Sequence, residues 1–507
     1  MTQQVVETAS TEASTAPPGS APAPSRAAPS ALYRYRWPVG ALGLLVVSVV
    51  IVVWANVRPG YDPYGWLVWG HLTLHLKLDT NGAPSWKPLP FLFTVPYNVA
   101  GHYAMWLWMV TAMALTLSGA VFAWRIAFKL TGAAPERRYA AYAAGLLAAL
   151  FLVTITNYSH YTLSAQSDTM IVSLCLGAID CHLSGRPRLA FWLWVLAGLG
   201  RPEAWPFLGI YALWLWRSRP PYRTMIVGGL ALIPLLWFGI PALTSKSPFT
   251  AANIAENSPR ALHSNKLTRE VGRFFGLQAA PVWIAALLAT ALAVLRRERM
   301  TGLLAAGAIG WVLVEIAFVL HGYPGVPRYL FEPAGVAAVL AGVFAGWVIV
   351  GLPSAVGSIL RRFADARVGG RLAGRLGVWS AAIVLLLLIG SMLPVARSRY
   401  RVERIDLAQQ RARSKQLGQL SAVVHRLGVP RIWACGQPNI QIGFQSVLAW
   451  YMGVNIGELY VSQRAEQLHS RPLVNIYPIE NGWKVVPSHL NASSPAYCRR
   501  LRLIYSS

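Results

Sequence analysis

Long apolar runs alternate with short basic segments and longer polar ones along most of the chain. The runs at 38–57, 103–128, 139–156, 169–183, 225–243, 277–295, 302–320, 331–352 and 377–395 approach or reach the roughly 18–20 apolar residues that cross a bilayer. A further run, 189–216, is broken by GLGRPEAWPF at 198–207 and is basic on both flanks: Arg186 and Arg188 before it, Arg217, Arg219 and Arg223 after it. One crossing would strand one basic flank on the far side. Two short helices turning at Arg201-Pro202 keep both flanks together. The pattern therefore predicts a polytopic α-helical membrane protein of about eleven helices.

Loop charge sets the orientation. Arg26, Arg34 and Arg36 precede the first run and place the N-terminus in the cytoplasm, and RRER at 296–299 and the basic segment 353–376 then fall on the same side. Residues 1–37 are largely Ala, Pro, Ser and Thr, cannot bury a core, and are expected to form a disordered cytoplasmic N-terminus. No small-residue cleavage site clearly follows the first run, which reads as a retained helix of a 38–395 membrane domain. The outer side receives 58–102, 157–168, 244–276, 321–329 and the tail 396–507. The tail is patterned as a small extracytoplasmic α/β domain. RIDLAQQRARSKQLGQLSAVVHRLG reads as a helix; PRIWACG, VLAWYMG, LVNIYPI, GWKVVP and RLRLIY read as strands.

Composition agrees. Of 507 residues 55% are hydrophobic and only 13% charged, about half the usual soluble share, and the mean hydropathy is +0.43. The net charge of +26 is explained by basic cytoplasmic loops facing anionic lipid, not by nucleic acid. Of four cysteines, Cys435 and Cys498 fall in the outer tail, where an oxidising compartment would let them pair; two separate buried thiols are the alternative.

The most informative stretch is 58–102. Asp62 lies just beyond the first run, followed by Tyr64, Leu67, Val68, His71, Leu72, His75 and Leu76 at helical spacing, with Trp66 and Trp69 on neighbouring faces. That predicts an amphipathic helix lying in the membrane interface. Asp62 is either a catalytic carboxylate at the membrane surface or, with Pro63 behind it, the cap of that helix. Three further polar clusters compete with bland readings. Asp168 ends the second outer loop and could cap the helix expected over 169–183. Arg201 and Glu203 sit inside an apolar run, where charges are costly, and could pair structurally. Arg328 and Tyr329 precede a late helix, where a cation opposes the helix dipole and suits an anionic ligand such as a phosphate. Asp180, deep in the run 169–183, reads as snorkelling or capping. His71 and His75 have metal-ligand spacing but no third ligand nearby. No Walker loop, dinucleotide-binding glycine motif, HExxH or CxxC occurs.

The order of these elements resembles the GT-C superfamily of membrane glycosyltransferases: Asp62 after helix 1, Trp86-Lys87-Pro88-Leu89-Pro90, SAQSD ending at Asp168, Arg201-Pro202-Glu203, and PRYLFEP around Arg328. The likeness covers about 58–335, does not reach the tail, and is nearest to protein O-mannosyltransferases, aminoarabinose transferases and related actinobacterial enzymes, in keeping with the chain's Ala, Arg, Gly and Val bias. It implies inverting transfer of a sugar from a polyprenyl-phosphate lipid to an acceptor outside the cell membrane. Asp62 would be general base. Arg328, Lys87 and Tyr329 would hold the donor phosphate, Asp168 would be a second acid or acceptor-site residue, and Arg201, Glu203, His71 and His75 would shape the cavity. Many members carry two successive acids in the first loop; here Asp62 is followed by Pro63, so no metal site is indicated and the role of a divalent cation stays open. Two other readings remain: a transporter or flippase of lipid-linked sugar, suggested by the broken run at 198–207, and a non-catalytic cell-envelope assembly protein with the tail as binding module.

Overall fold

The computed structural model describes residues 31–82, 86–132, 134–258, 260–360, 366–461, 472–490, 492 and 494–506. Residues up to Gly43 form one unit, and Leu44–Ser507 the other, which holds everything below. The disordered N-terminus expected for 1–37 lies mostly outside the described residues.

The helices run α1 Ala31–Ala55, α2 Tyr61–Leu74, α3 Pro88–Tyr97, α4 Ala104–Leu130, α5 Arg138–Val153, α6 Tyr158–Leu163, α7 Ser167–Leu183, α8 Pro187–Gly200, α9 Trp205–Ser218, α10 Arg223–Pro234, α11 Ile240–Thr244, α12 Thr250–Glu256, α13 Lys266–Phe275, α14 Ala280–Arg296, α15 Arg299–His321, α16 Phe331–Leu360 and α17 Ala366–Leu427. Among the described residues six helical segments are long and apolar enough to cross a membrane, or seven if α13 and α14, bent by 95°, count as one. Several expected crossings, α5, α7, α8 and α9, are only 14–17 residues long. The break between α8 and α9 falls at Arg201, held extended (φ −151°, ψ 131°) because Pro202 excludes the helical conformation from the residue before it.

The loops expected on one side meet one another. Gly60 N donates to Ser164 O at 2.8 Å, Thr80 N to Thr244 O at 3.0 Å and Lys246 N to Asn81 Oδ1 at 2.8 Å. At the opposite end, basic residues of two segments pack on α16: Arg137 Nη1 donates to Val350 O at 3.0 Å, and Arg296 lies 5.4 Å from the Trp347 ring. Asp180 neither snorkels nor caps. It is buried at that end in ion pairs with Arg125 (2.9 Å) and Lys129 (2.5 Å).

Three expectations for the outer region need correction. First, α2 does not lie exposed in the interface. Its Tyr64, Trp66, Leu67, Val68, Trp69 and Leu72 are all buried, because α3, α4 and the C-terminal region cover faces that the sequence pattern left open. Second, the tail does not begin with a helix of its own. α17 runs unbroken through 396, since the turn to Arg, Gln and Ala residues changes solvation but not helix propensity. Third, PRIWACG and VLAWYMG form helices, α18 Val429–Cys435 and α19 Gln445–Met452, rather than strands. Short apolar runs carry no decisive period, and here Pro430 opens one helix while Gly453, in the left-handed region, closes the other. LVNIYPI, GWKVVP and RLRLIY do supply strands β2 Leu473–Ile479, β3 Gly482–Ser488 and β4 Leu503–Ser506. With β1 Gln437–Ile440 they form a sheet of order β1-β2-β3-β4, parallel at β1–β2 and antiparallel elsewhere. The short helix α20 Ala496–Arg500 carries Cys498, which is bonded to Cys435 with a Cα–Cα separation of 5.4 Å. The sheet shares one apolar core with α2: Trp66, Trp69 and Trp108 belong to the same cluster as Leu417, Val424 and Trp483.

Candidate active site

Five separate segments bring charge to one point. Asp168, in the first turn of α7, is not the helix cap, a position held by Gln166; its side chain turns inward and is fully buried. Arg201, at the α8–α9 break, donates from Nη2 to Asp168 Oδ1. Arg328, in the 3-10 turn Pro327–Leu330 that leads into α16, places Nε 3.8 Å from the same oxygen. Lys87, capping α3, places Nζ 4.0 Å from it and 3.4 Å from Ser167 Oγ. Arg328 also reaches Asp62, with Nη2 3.5 Å from Oδ2, and so bridges the two aspartates.

Local backbone features allow this convergence. Gly60 presses against the 164–166 turn so closely that a Cβ there would meet Gln166 Nε2 at 2.6 Å. Gly70 lets α2 approach α3, since a Cβ would lie 2.6 Å from the Thr94 carbonyl oxygen. Asp62 and Lys87 are thereby set on two helices in close contact. Ala165 is held in the left-handed region (φ 55°), where its carbonyl accepts from Trp108 Nε1 at 3.1 Å; that turn aims Asp168 inward.

The two aspartates differ in access. The Asp62 side chain is 21% exposed, whereas Asp168 has no exposed surface and three cations within 4.0 Å. Burial opposes the Arg201 charge, but Asp168, Glu332 and Glu203 outweigh it and hold the guanidinium above its ordinary pKa. Burial pulls the Lys87 ammonium below its ordinary pKa. Asp168 opposes this, while Arg201 and Arg328 add to it. Tyr329 is a ring wall rather than a hydroxyl contact: the Arg201 guanidinium lies 4.2 Å, and that of Arg328 5.7 Å, from its centroid.

Of the other expected residues, Glu203 joins the centre, 3.6 Å from Arg201 Nη1. His71 and His75 do not. Their rings meet at a tilt of 42° at the far end of α2, with centroids 4.3 Å apart, and His71 lies edge to face with Trp450. Among the described residues no three His, Cys, Asp or Glu side chains converge as a metal site. Sequence reasoning passed over Glu332, 3.7 Å from Arg201 Nε, and Tyr161, 5.5 Å from the Arg328 guanidinium. It also passed over Glu315, buried alone in the apolar run of α15, a placement that does signal function.

Two cavities adjoin the centre. One, about 290 Å³, is lined by Lys87, Arg201, Glu203, Glu315, Tyr329 and several aromatic rings. The other, about 500 Å³, is an apolar groove between α7, α9, α15 and α16. It begins at Glu332 and Trp311 and extends to His182, Trp214 and Met300 at the opposite ends of those helices.

No known sequence family and no curated relative matches the chain. Among solved structures, ArnT from Cupriavidus metallidurans bound to undecaprenyl phosphate superposes with a TM-score of 0.51 at 11% identity, over 87% of this chain and 93% of that one. The apo form of the same protein gives 0.48 at 13% identity, over 88% and 93%. At such identity the likeness is one of fold. The fold is ArnT-like, with a mostly helical body that carries six or seven membrane-length apolar helices among the described residues and a small C-terminal sheet.

Proposed function

We propose that the chain is an inverting glycosyltransferase that moves one sugar from a polyprenyl-phosphate donor to an extracytoplasmic acceptor. The observation that carries this reading is the arrangement of Asp62 and Asp168 on either side of Arg328, with Lys87 and Arg201 completing a cationic centre that meets the apolar groove through Glu332, 3.7 Å from Arg201 Nε. The apolar groove suits a polyprenyl chain, and the cations suit its phosphate. The structural neighbour ArnT, a GT-C aminoarabinose transferase, is bound to undecaprenyl phosphate. In this reading α1, α4, α5, α7, α8, α9, α10, α14, α15, α16 and α17 are the eleven crossings or half-crossings, with the N-terminus cytoplasmic and the tail outside.

The chemistry follows from access and charge. The acceptor hydroxyl attacks the anomeric carbon from the face opposite the phosphate, and Asp62, the accessible carboxylate, takes its proton. The bond from the anomeric carbon to the phosphate oxygen breaks with its electron pair going to the phosphate. Arg328 and Lys87 stabilise the growing charge. Asp168 is not a second catalytic acid; buried under three cations, it holds them in place.

The test is binding and turnover together. Purified protein should bind polyprenyl monophosphate and release it from polyprenyl-phosphoryl sugars when acceptor-containing membrane extract is added. Arg328→Ala should weaken polyprenyl phosphate binding about tenfold or more, the worth of a charge-assisted hydrogen bond. Wild-type protein that neither binds the lipid phosphate nor releases it would refute the assignment.

A further inference from the structure

The cavity of about 290 Å³ beside Lys87 and Arg201 is built differently from the rest of the centre. Its lining includes the cations Lys87 and Arg201, but it also carries two carboxylates on different helices. Glu203 is 6% exposed and Glu315 1%, and each has one oxygen, Oε2, that is buried without a hydrogen-bond partner. Buried carboxylate oxygens left in that state are costly, and both belong to side chains that line the cavity. Its wall includes Trp205 and Trp237, whose rings meet edge to face at 5.8 Å. Both indole N–H groups are already committed to the Gly198 carbonyl at 2.9 Å, so the two rings offer the cavity apolar surface.

A ligand matching these walls has an anionic group at one end, hydrogen-bond donors at the other and an apolar face between. It is also small, since the volume lies near the lower end of the roughly 300–1,000 Å³ usual for ligand pockets. We propose that this cavity holds the sugar of the donor, a single monosaccharide ring. Glu203 and Glu315 accept from its hydroxyl or amino substituents, and its C–H face lies against the Trp205–Trp237 wall. The inference rests on the reading of Lys87, Arg201 and Arg328 as the phosphate site, because the sugar is joined directly to that phosphate and the cavity shares Lys87 and Arg201 with it. It assigns sugar recognition to Glu203 and Glu315, and phosphate recognition to the cations.

The experiment compares binding of naked decaprenyl monophosphate with binding of a panel of decaprenyl-phosphoryl monosaccharides (glucose, galactose, mannose, N-acetylglucosamine, arabinofuranose and 4-amino-arabinose) to the detergent-purified full chain. At least one sugar lipid should bind about tenfold tighter than the naked lipid, and Glu203→Gln and Glu315→Gln should each erase most of that difference. Glu315→Gln, which breaks no ion pair of the cationic centre, should not change binding of the naked lipid more than about twofold. Ala252→Phe, which fills the cavity from α12 without touching the charges, should erase the preference in the same way and covers the case in which a glutamate variant fails to fold. A wild-type protein that binds naked lipid but prefers no sugar lipid would overturn the inference and leave the phosphate site standing. So would a preference that survives all three variants. If naked lipid does not bind at all, the phosphate reading falls and the inference with it.

Discussion

Asp62→Asn and Asp168→Asn are expected to fail in opposite ways. Both remove one carboxylate charge from Arg328 with almost no change of shape. Asp168 is fully buried, with Arg201, Arg328 and Lys87 within 4.0 Å of Oδ1. Removing one partner of a buried ion pair costs about 3–5 kcal/mol, because the other charge stays buried without compensation. Three cations depend on this carboxylate, so Asp168→Asn belongs at the upper end of that range, a fall in melting temperature on the order of ten degrees. Asp62 is 21% exposed and 3.5 Å from a single guanidinium. A pair so open to water contributes about 1 kcal/mol or less, so Asp62→Asn should melt within a few degrees of wild type. Its loss is chemical: a missing general base costs about 10²–10⁴ in rate, or roughly 3–5 kcal/mol of barrier.

The assay is paired. Thermal unfolding is followed in detergent, and turnover as release of polyprenyl phosphate from the preferred sugar lipid. Asp62→Asn should keep its melting temperature and its affinity for polyprenyl phosphate while losing turnover. Asp168→Asn should lose stability first. Turnover of Asp62→Asn within about threefold of wild type would remove Asp62 as the base. An Asp168→Asn protein that melts like wild type would remove Asp168 as the anchor.

Three further expectations follow from individual contacts. Burial lowers the Lys87 pKa, so its cation is present at low pH and lost as pH rises through that lowered value; polyprenyl phosphate affinity should therefore fall on the alkaline side before an ordinary lysine titrates, and Lys87→Arg should abolish that fall in a pH series of binding constants. The Tyr451 hydroxyl accepts from Arg58 Nη1 at 2.8 Å and lies 3.2 Å from the Tyr64 hydroxyl, gripping the chain on both sides of Asp62, before α2 and within it; Tyr451→Phe should lower kcat about tenfold with KM for the lipid unchanged, which steady-state kinetics would show. The Cys435–Cys498 bond closes a loop of sequence separation 63, so replacing both with alanine should cost up to about 4 kcal/mol by chain entropy, read as a lower melting temperature of the tail alongside thiol labelling of the reduced wild type.

The parts of this structure that were readable in the sequence are those whose causes are local. Apolar length marks the long helices. Pro202 forces Arg201 out of helical geometry and so places a charge at a helix break. Loop composition sorts Asp62, Asp168, Arg201 and Arg328 to one end, where the structure joins them. The parts that were not readable have distant causes. The burial of α2 depends on α19, nearly four hundred positions away, so its spacing alone read as a membrane-surface helix. α18 and α19 are helical because their apolar residues sit in that shared core, a fact absent from seven- and eight-residue runs. Glu332 lies within PRYLFEP but was assigned no role; only tertiary contact shows it facing Arg201. Glu315 was the exception, a lone acid in an apolar run that was legible and not taken up.

The hydrogen-bonding deficits of the centre bear on its purpose. Native interiors leave few buried polar atoms unpaired, because each costs about 1–3 kcal/mol. Among the described residues such atoms occur in several places, and seven of them lie in this centre: the donors Arg201 Nε and Arg328 Nε, and the acceptors Asp168 Oδ2, Glu203 Oε2, Glu315 Oε2 and both oxygens of Glu332. A purely structural ion network has no reason to keep such a deficit, since packed apolar residues would be as stable or more so. The kinds of unmet group are also sorted. Arg328 lies toward Asp62 and supplies donors that match phosphate oxygens. Glu203 and Glu315 line the adjoining cavity and supply acceptors that match the donors of a sugar ring. A phosphate joined to a sugar answers both at once. It also leaves Asp62, the one accessible carboxylate of the centre, beside the bond that has to break.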